Sequence, residues 1–510
     1  MASNMRIGGL ASGMDIDQIV KDLMKVERMP LDKLKQKKQI LEWQRDDYRS
    51  MNTLLQDLDN YIFNNLTLQS SMLKKKVTSS DESVVSATAN ASAANISTTI
   101  NVTKIATSAT WISVDRVDSI TVDTDTTLTI FVTNGDGNPP ATNPVTITVK
   151  AGATLDSVIS QLNNDPNLGV TVFRDTKTGK IVITKKDTGS QASLVIRDDT
   201  TAQFFQQLGF PKAATGSKLE DTDGDGDVDA QDSFIAGTDA QFTINGFTTS
   251  RSTNTFTING VTYTLKKEGT ATITTSSDTD AMFNVIKGFV DKYNEVIGKI
   301  NAELKEERYR DYPPLTDEQK EAMTEKQIEL WEEKAKSGLL RGDSILSSGL
   351  SKMRMDLYTK VEGANITSGF SQLAEIGITT SPNYLDGGKL IIDETKLREK
   401  IQENPDAIYR LFNNDSTNYS EKGIARRLRD TIKDTIGKIE QKAGKTLWTN
   451  QQFAIGRDLI QIDSQIDRFE DRLKQIEDRY WRQFTAMEKA IQRANEQSLY
   501  LMNAFFGGAQ

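Results

Sequence analysis

The sequence predicts an α+β multidomain protein: a terminal coiled coil or helical bundle with β-rich domains inserted into it. Three observations lead there. Apolar residues repeat at seven-residue spacing near both ends of the 510-residue chain. Between them, from about residue 77 to 280, lies a segment rich in Thr, Val, Ile, Asp and Gly, with apolar and polar residues alternating. A chain of this length also exceeds what one compact core accommodates, so several domains are expected.

Near the N-terminus, Leu34, Leu41, Tyr48, Leu55 and Ile62 recur every seven residues, with Met51 and Leu58 at the companion positions. This is an a/d seam, and Lys35, Lys37, Lys38, Asp46 and Arg49 lie between its members. Asp15 and Gln18 have capping-box spacing for a helix that begins near Ile16. Met29-Pro30-Leu31 is expected to break a first helix from a second, because proline lacks the amide donor a continuous helix needs. Near the C-terminus, Ile462, Ile466, Phe469, Leu473, Ile476 and Tyr480 alternate by four and three, and Phe484, Met487 and Ile491 continue the stripe with a small phase drift. So narrow a stripe suits a coiled-coil seam, with an ordinary helical bundle as the alternative. The economical arrangement pairs the two ends as a stalk.

A further helical block follows the middle, where Val285, Phe289, Tyr293, Val296, Ile300 and Leu304 share a face. After Tyr312-Pro313-Pro314, the pair Thr316 and Gln319 forms another capping box, expected to open a charged helix through Trp331. In the middle, Val145, Ile147 and Val149 alternate as a half-buried strand does, and Leu155, Val158, Ile159 and Leu162 make a short helix. Val170 and Val172 face Ile181 and Ile183 across a turn. Phe256 and Ile258 lead through Asn259-Gly260 into Val261, Tyr263 and Leu265, and Asn-Gly between alternating runs is a strong hairpin signal. The expected organisation is 1–45 with 455–510 as coiled-coil legs, 46–76 with 281–454 as a helical body, 77–110 with 238–280 as one β-rich domain, and 111–237 as a second.

Composition narrows the function. The 62 Lys and Arg against 71 Asp and Glu leave a formal charge of −9, which argues against nucleic acid as a partner. No apolar run approaches the length of a transmembrane segment. With no Cys there are no disulfides or thiolate chemistry, and with no His there is no Ser-His-Asp, His-zinc or imidazole acid–base catalysis. An enzyme is not expected. The opening MASNMRIGGLASGMDIDQIV lacks the pattern of a cleaved secretory signal, so it reads as cytosolic or as exported without cleavage.

One segment could carry a ligand. Residues 221–232 read DTDGDGDVDAQD, with Asp221, Asp223 and Asp225 at positions 1, 3 and 5 of an EF-hand-type loop. Gly226 stands at the turn position, Asp227 at position 7, and Asp229 and Asp232 at positions 9 and 12. So many carboxylates in one loop repel one another unless a hard cation sits among them, which makes Ca2+ the expected ion. Asp rather than Glu at position 12 shortens the reach, and no clear helices flank the loop, so weak binding or a solvated acidic linker are the alternatives. Arg341-Gly342-Asp343 is a lone tripeptide whose Asp343 suits a helix cap, and Gly8-Gly9 with Gly13 follows no strand, so it is no nucleotide loop. Tyr480, Trp481 and Phe484 on the stripe are expected to pack rather than to stack on a ligand.

The opening Arg6-Ile7-Gly8-Gly9-Leu10-Ala11-Ser12-Gly13-Met14-Asp15-Ile16-Asp17 resembles that of the flagellar hook-associated protein 2 family, the filament cap. So do Leu23-Met24, Pro30-Leu31, the stretch from Tyr312-Pro313-Pro314 to Gly342-Asp343, and the segment from Tyr480 through Gln483-Phe484-Thr485-Ala486-Met487-Glu488. Less specifically, the Thr154-Leu155 helix start and Leu208-Gly209-Phe210 resemble modules of flagellar exterior proteins, and Phe242 to Gly246 with Gly260 to Tyr263 resembles their "IN-G" element. The acidic loop is no part of that pattern. The resemblance implies export through the flagellar channel and a place outside the cell at the distal filament tip. It also implies a ring-like homo-oligomer, with a pentamer as the expected size. The ring promotes flagellin folding and insertion and prevents monomer loss. The implied partners are further copies of the chain, flagellin, hook–filament junction proteins and an export chaperone. Leu34, Leu41, Tyr48 and Leu55 with Ile466, Phe469, Leu473, Ile476, Tyr480, Phe484 and Met487 are then the expected assembly face. Another axial subunit, or an adhesin binding glycans through 111–237, are the competing readings.

Overall fold

The computed structural model of the protein describes residues 13–219 and 233–506. The chain divides into two compact units, one built from the residues up to Met72 together with those from Thr279 onward, the other from Leu73–Asp278. It opens with α1 (Ile16–Tyr61), a π-helical stretch Ile62–Thr67 and the short α2 (Gln69–Met72). Asp15 caps α1 by accepting from the Gln18 amide at 2.9 Å. Contrary to the expected break, α1 runs straight through Pro30. The residue four before it, Val26, is 66% exposed, so the carbonyl that loses its partner lies on the solvent side and can be hydrated. Met24 and Leu31, on either side of the proline, are both buried and hold the helix on its packing partner.

Among its described residues the second unit holds fifteen strands and two helices in chain order: β1 (Lys75–Ser79), β2 (Val85–Ala89), β3 (Ser97–Lys104), β4 (Ser108–Ile112), β5 (Thr126–Thr133), β6 (Val145–Val149), α3 (Leu155–Asn164), β7 (Val170–Arg174), β8 (Ile181–Thr188), β9 (Ser193–Ile196), α4 (Asp199–Gln207), β10 (Phe234–Ile235), β11 (Ala240–Ile244), β12 (Phe247–Arg251), β13 (Thr255–Ile258), β14 (Val261–Leu265) and β15 (Gly269–Ser277). Its sheets are antiparallel and surround two cores. The first core lies between the sheets β1-β15-β3-β11-β12 and β13-β14-β2. Phe242 and Phe256 stack across them with ring centroids 4.5 Å apart. The second core lies among β10-β4-β8-β7, β6-β5-β9, α3 and α4, with Trp111 fully buried in it against Phe234. β7 and β8 form the expected hairpin, with Val172 opposite Ile183. Two further hairpins turn on Asn245-Gly246 and Asn259-Gly260, where all four residues have positive φ, between 47° and 85°. Two-residue loops of this handedness match the strand twist, and Asn and Gly tolerate the required backbone.

The chain returns as α5 (Thr279–Lys305), α6 (Asp317–Glu321), α7 (Glu325–Lys336), α8 (Ser344–Tyr358), β16 (Ile378–Thr380), β17 (Leu390–Ile392), α9 (Glu394–Glu403), α10 (Pro405–Asn413), α11 (Ile424–Ala443) and the long α12 (Ala454–Phe506). The charged helix expected from Thr316 through Trp331 is in fact two helices, because a second reciprocal box, Thr324 with Gln327, starts α7 afresh. Asp343 caps α8 through the Leu346 amide at 2.9 Å and also accepts from the Tyr48 hydroxyl of α1.

The body core gathers Tyr48, Met51, Leu55 and Leu58 of α1, Phe289 and Tyr293 of α5, and Leu428 and Ile432 of α11. A buried polar knot ties it together. The Arg427 guanidinium, 1% exposed, donates to the carbonyls of Tyr419 (2.8 Å), Thr359 (2.7 Å), Lys360 (3.1 Å) and Ser420 (2.7 Å). Beside it, buried Asp356 accepts from the Tyr419 hydroxyl at 2.6 Å and Thr431 Oγ1 at 2.5 Å. Two loops and two helices are thereby fixed by an Arg427 that uses four of its five N–H donors and an Asp356 that accepts at both oxygens, the condition under which buried charge is tolerated. Replacing Arg427 with Met would leave the carbonyls of Thr359 and Lys360 without a donor, while those of Ser420 and Tyr419 keep the amides of Glu362 and Lys422. The helical unit should lose on the order of 3 kcal/mol in a urea titration, and a loss below about 1 kcal/mol would contradict the account.

Half-buried Asp47 of α1 is pushed up to about 6 by burial, with Glu303 and Glu306 adding repulsion. The folded chain therefore holds this proton more tightly than the unfolded chain, whose carboxyl has the ordinary value of 3.8. Its contribution to stability is greatest at low pH and is lost as pH rises through about 6. Asp47→Asn should raise the melting temperature at pH 7.5 and change it much less at pH 4.5. A mutant that is less stable at pH 7.5 would refute this assignment.

Candidate functional site: the seam between the chain ends

The first half of α1 and the long α12 lie side by side, antiparallel. Direction follows from their polar contacts. Lys38 meets Asp463 at 2.7 Å, Lys35 meets Glu470 at 3.4 Å, and the Tyr480 hydroxyl donates to Glu27 at 3.0 Å, so numbering falls on one helix as it rises on the other. The seam buries Ile16, Val20, Met24 and Leu31 against Ile462, Ile466, Leu473 and Ile476. Leu34, Leu41, Phe469, Tyr480, Trp481 and Phe484 pack against this core half-buried. Each fully buried member contributes on the order of 2 kcal/mol by leaving water.

The expected assembly residues are thus divided among three environments. Ile466, Leu473 and Ile476 are buried in the seam. Leu34, Leu41, Phe469, Tyr480, Phe484 and Met487 are only half-buried and keep surface open to a partner. Tyr48 and Leu55, read from the sequence as the same seam, are instead fully enclosed in the helical body, where Tyr48 bonds Asp343. The helix continues, but its partners change: beyond Leu41 the stripe faces α11 and α5. A strict seven-residue repeat drifts around a 3.6-residue helix, which lets one stripe serve two neighbours.

Electrostatics follows the same geometry. Hydrogen bonding to Asp463 holds the Lys38 ammonium above its ordinary value, as expected of a lysine at a seam position paired across the helices. Burial, reinforced by Glu318, raises the Asp32 carboxyl. On that flank the segment after Pro314 lies over α1, with Gln36 Nε2 donating to the Pro314 carbonyl at 2.8 Å and Arg28 3.9 Å from Glu318. These covering contacts were not read from the sequence; they join residues far apart in the chain and leave no local pattern. The six aspartates Asp221, Asp223, Asp225, Asp227, Asp229 and Asp232 lie outside the described residues, as do the residues before Gly13. Beyond Ile491, α12 is exposed in every residue whose burial is described, including Leu499, Tyr500, Leu501 and Met502. No helix among the described residues is long and apolar enough to cross a membrane. The arrangement is that of a scaffold: a two-helix leg, half-closed along its seam, standing on a folded body.

Comparison with known proteins agrees with this architecture. Residues 237–496 match the family described as Flagellar hook-associated protein 2 C-terminus, and residues 12–109 match Flagellar hook-associated protein 2 N-terminus. The Flagellin hook IN motif matches residues 127–187, which include the Thr154-Leu155 helix start; the Asn-Gly hairpins near 242–263, expected to be that element, fall within the C-terminal match instead. The flagellar hook-associated protein 2 of Halalkalibacterium halodurans is 37% identical over 98% of this chain and 100% of its own. That of Thermotoga maritima is 26% identical over 99% of this chain and 96% of its own. In fold, the chain resembles the D1-D2-D3 domains of the flagellar cap protein FliD from Escherichia coli, with a TM-score of 0.55 at 20% identity over 81% of this chain and 99% of that one. Matched over nearly its whole length, the chain belongs to the flagellar hook-associated protein 2 family, the structural caps at the distal tip of the extracellular bacterial flagellar filament.

Proposed function

We propose that this cap works as a ring of identical chains, five in our reading, that promotes flagellin folding and insertion beneath it and keeps the filament end from losing monomers. The observation that carries the reading is the leg. Its seam is closed enough to hold α1 and α12 together, yet Phe469, Tyr480, Phe484 and Met487 stay half-open to a partner helix. Helical subunits at a filament end present such partners, and apolar knobs at a/d spacing are what they recognise. Weak, repeated contacts of this kind let a leg release and dock again as each new subunit enters. Hook–filament junction proteins and an export chaperone complete the set of partners in this reading.

The test is a double substitution, Leu473→Asp with Ile476→Asp, introduced into the full chain. Two buried carboxylates would open the seam without touching the β unit. We expect soluble protein with its strand signal intact in circular dichroism, flagellin monomers released into the medium, and motility lost. Normal filament growth by cells carrying this variant would sink the reading.

The 221–232 loop adds a second proposal, resting on its Asp-x-Asp-x-Asp-Gly spacing. Titration of the whole protein with calcium chloride should show one site per chain with Kd of about 10⁻⁴–10⁻³ M, the range of extracellular modules. Asp223→Asn with Asp225→Asn should remove it. Absence of binding heat at about 5 mM calcium would leave the loop as an acidic linker.

A further inference from the structure

The two flanks of the α1–α12 pair differ in a way the seam alone does not require. One flank is covered by the chain's own segment after Pro314 and carries ion pairs: Lys35 with Glu470, Lys38 with Asp463, Lys320 with Glu332. The opposite flank is open. There a groove of about 580 Å³ runs between the helices. Its floor is Pro30, Leu34 and Phe469, and its walls carry Lys33 and Lys37 from α1 and Arg468 and Arg472 from α12. No carboxylate lines it, and none of these cations makes an ion pair among the described residues. Each helix thus places like charges four residues apart, which repel, and the two pairs face each other across the groove. An acidic occupant would remove that repulsion.

The complement stands on the same unit. α7 exposes Glu325, Glu329 and Glu333, again four residues apart, along about 12 Å of helix. Glu329 pairs with Lys326 of its own helix, whereas Glu325 and Glu333 form no ion pair among the described residues. Half-buried Ile328 and 51% exposed Leu330 flank the stripe and give it apolar surface to set on the groove floor. The ledge cannot reach its own groove, because Glu332 and Lys320 border the cavity on the covered flank, together with Lys35, Gln39 and Asp463. A patch and its complement on opposite sides of one body make a head-to-tail contact between copies, and such contacts close into rings when the rotation from one copy to the next closes.

We infer that the basic groove of one chain receives the acidic α7 of the next. This rests on the ring proposed above and names the surface that builds its leg tier. Complementary charge would steer neighbouring copies together and fix their order, while Leu34 and Phe469 supply the apolar contact.

The chain has no Cys, so a pair of introduced thiols reports this contact directly. Full-length protein carrying Lys37→Cys and Glu329→Cys is treated with a short bismaleimide; a ladder of linked chains is expected, absent from either single variant. In parallel, Lys33→Glu with Lys37→Glu, and separately Glu325→Lys with Glu329→Lys, should each raise the concentration at which the oligomer forms by about tenfold in sedimentation, and the two pairs combined in one chain should restore it. All of these positions are exposed, so folding is preserved and circular dichroism checks it. An oligomer that forms normally in both charge-reversed variants, with no cross-linked ladder, overturns this contact and leaves the ring standing. A wild-type chain that stays monomeric at every concentration overturns the ring and this contact together.

Discussion

Ile16, Val20, Met24 and Leu31 of α1 leave water only by packing on Ile462, Ile466, Leu473 and Ile476 of α12, and this burial ties together segments at the two ends of the chain. Closing so long a loop costs entropy, but that cost grows only slowly with length. It is offset because α1 is already anchored: its second half is locked in the body by Tyr48, Leu55 and Leu58. One continuous helix therefore connects a fully enclosed core to a half-open leg. The continuity survives Pro30 because the missing hydrogen bond faces solvent while both neighbouring turns are held on α12.

The body and the leg hold together by different physics. In the body, Arg427 and Asp356 are buried in a network of six hydrogen bonds, and such networks resist partial opening because each broken bond leaves a desolvated group. In the leg, contacts are a narrow a/d apolar stripe and ion pairs of partly exposed side chains, which are individually weak. The gradient from fixed to loosely held runs along α1 and α12. It suits the proposed role, in which the body persists while the legs release and dock again.

Charge adds direction to this leg. Covering one flank with the 314–320 segment and leaving the other basic makes the two sides of the stalk unlike, and the proposed contact would order neighbouring copies in one sense. The same asymmetry would disfavour pairing of two legs through identical basic faces, since four cations against four cations repel.

Much of this was legible in local pattern. Asn245-Gly246 and Asn259-Gly260 announce hairpins because the turn needs positive φ at adjacent residues, a demand settled within four residues of chain. The a/d stripes, the Asp15 cap and the Asp343 cap are local in the same sense, and so was the second box at Thr324 and Gln327, which went unread. Absence of His and Cys, together with the terminal motifs, pointed to a structural rather than a catalytic role. Tertiary structure alone decided what depends on which side of a helix meets solvent. Pro30 is tolerated because Val26 faces water, Tyr48 and Leu55 leave the seam because the stripe rotates onto α11 and α5, and the cations at 33, 37, 468 and 472 share one groove because the helices are antiparallel in this register. Periodicity records that a face is apolar or charged; the neighbour it meets is fixed only when distant segments pack together.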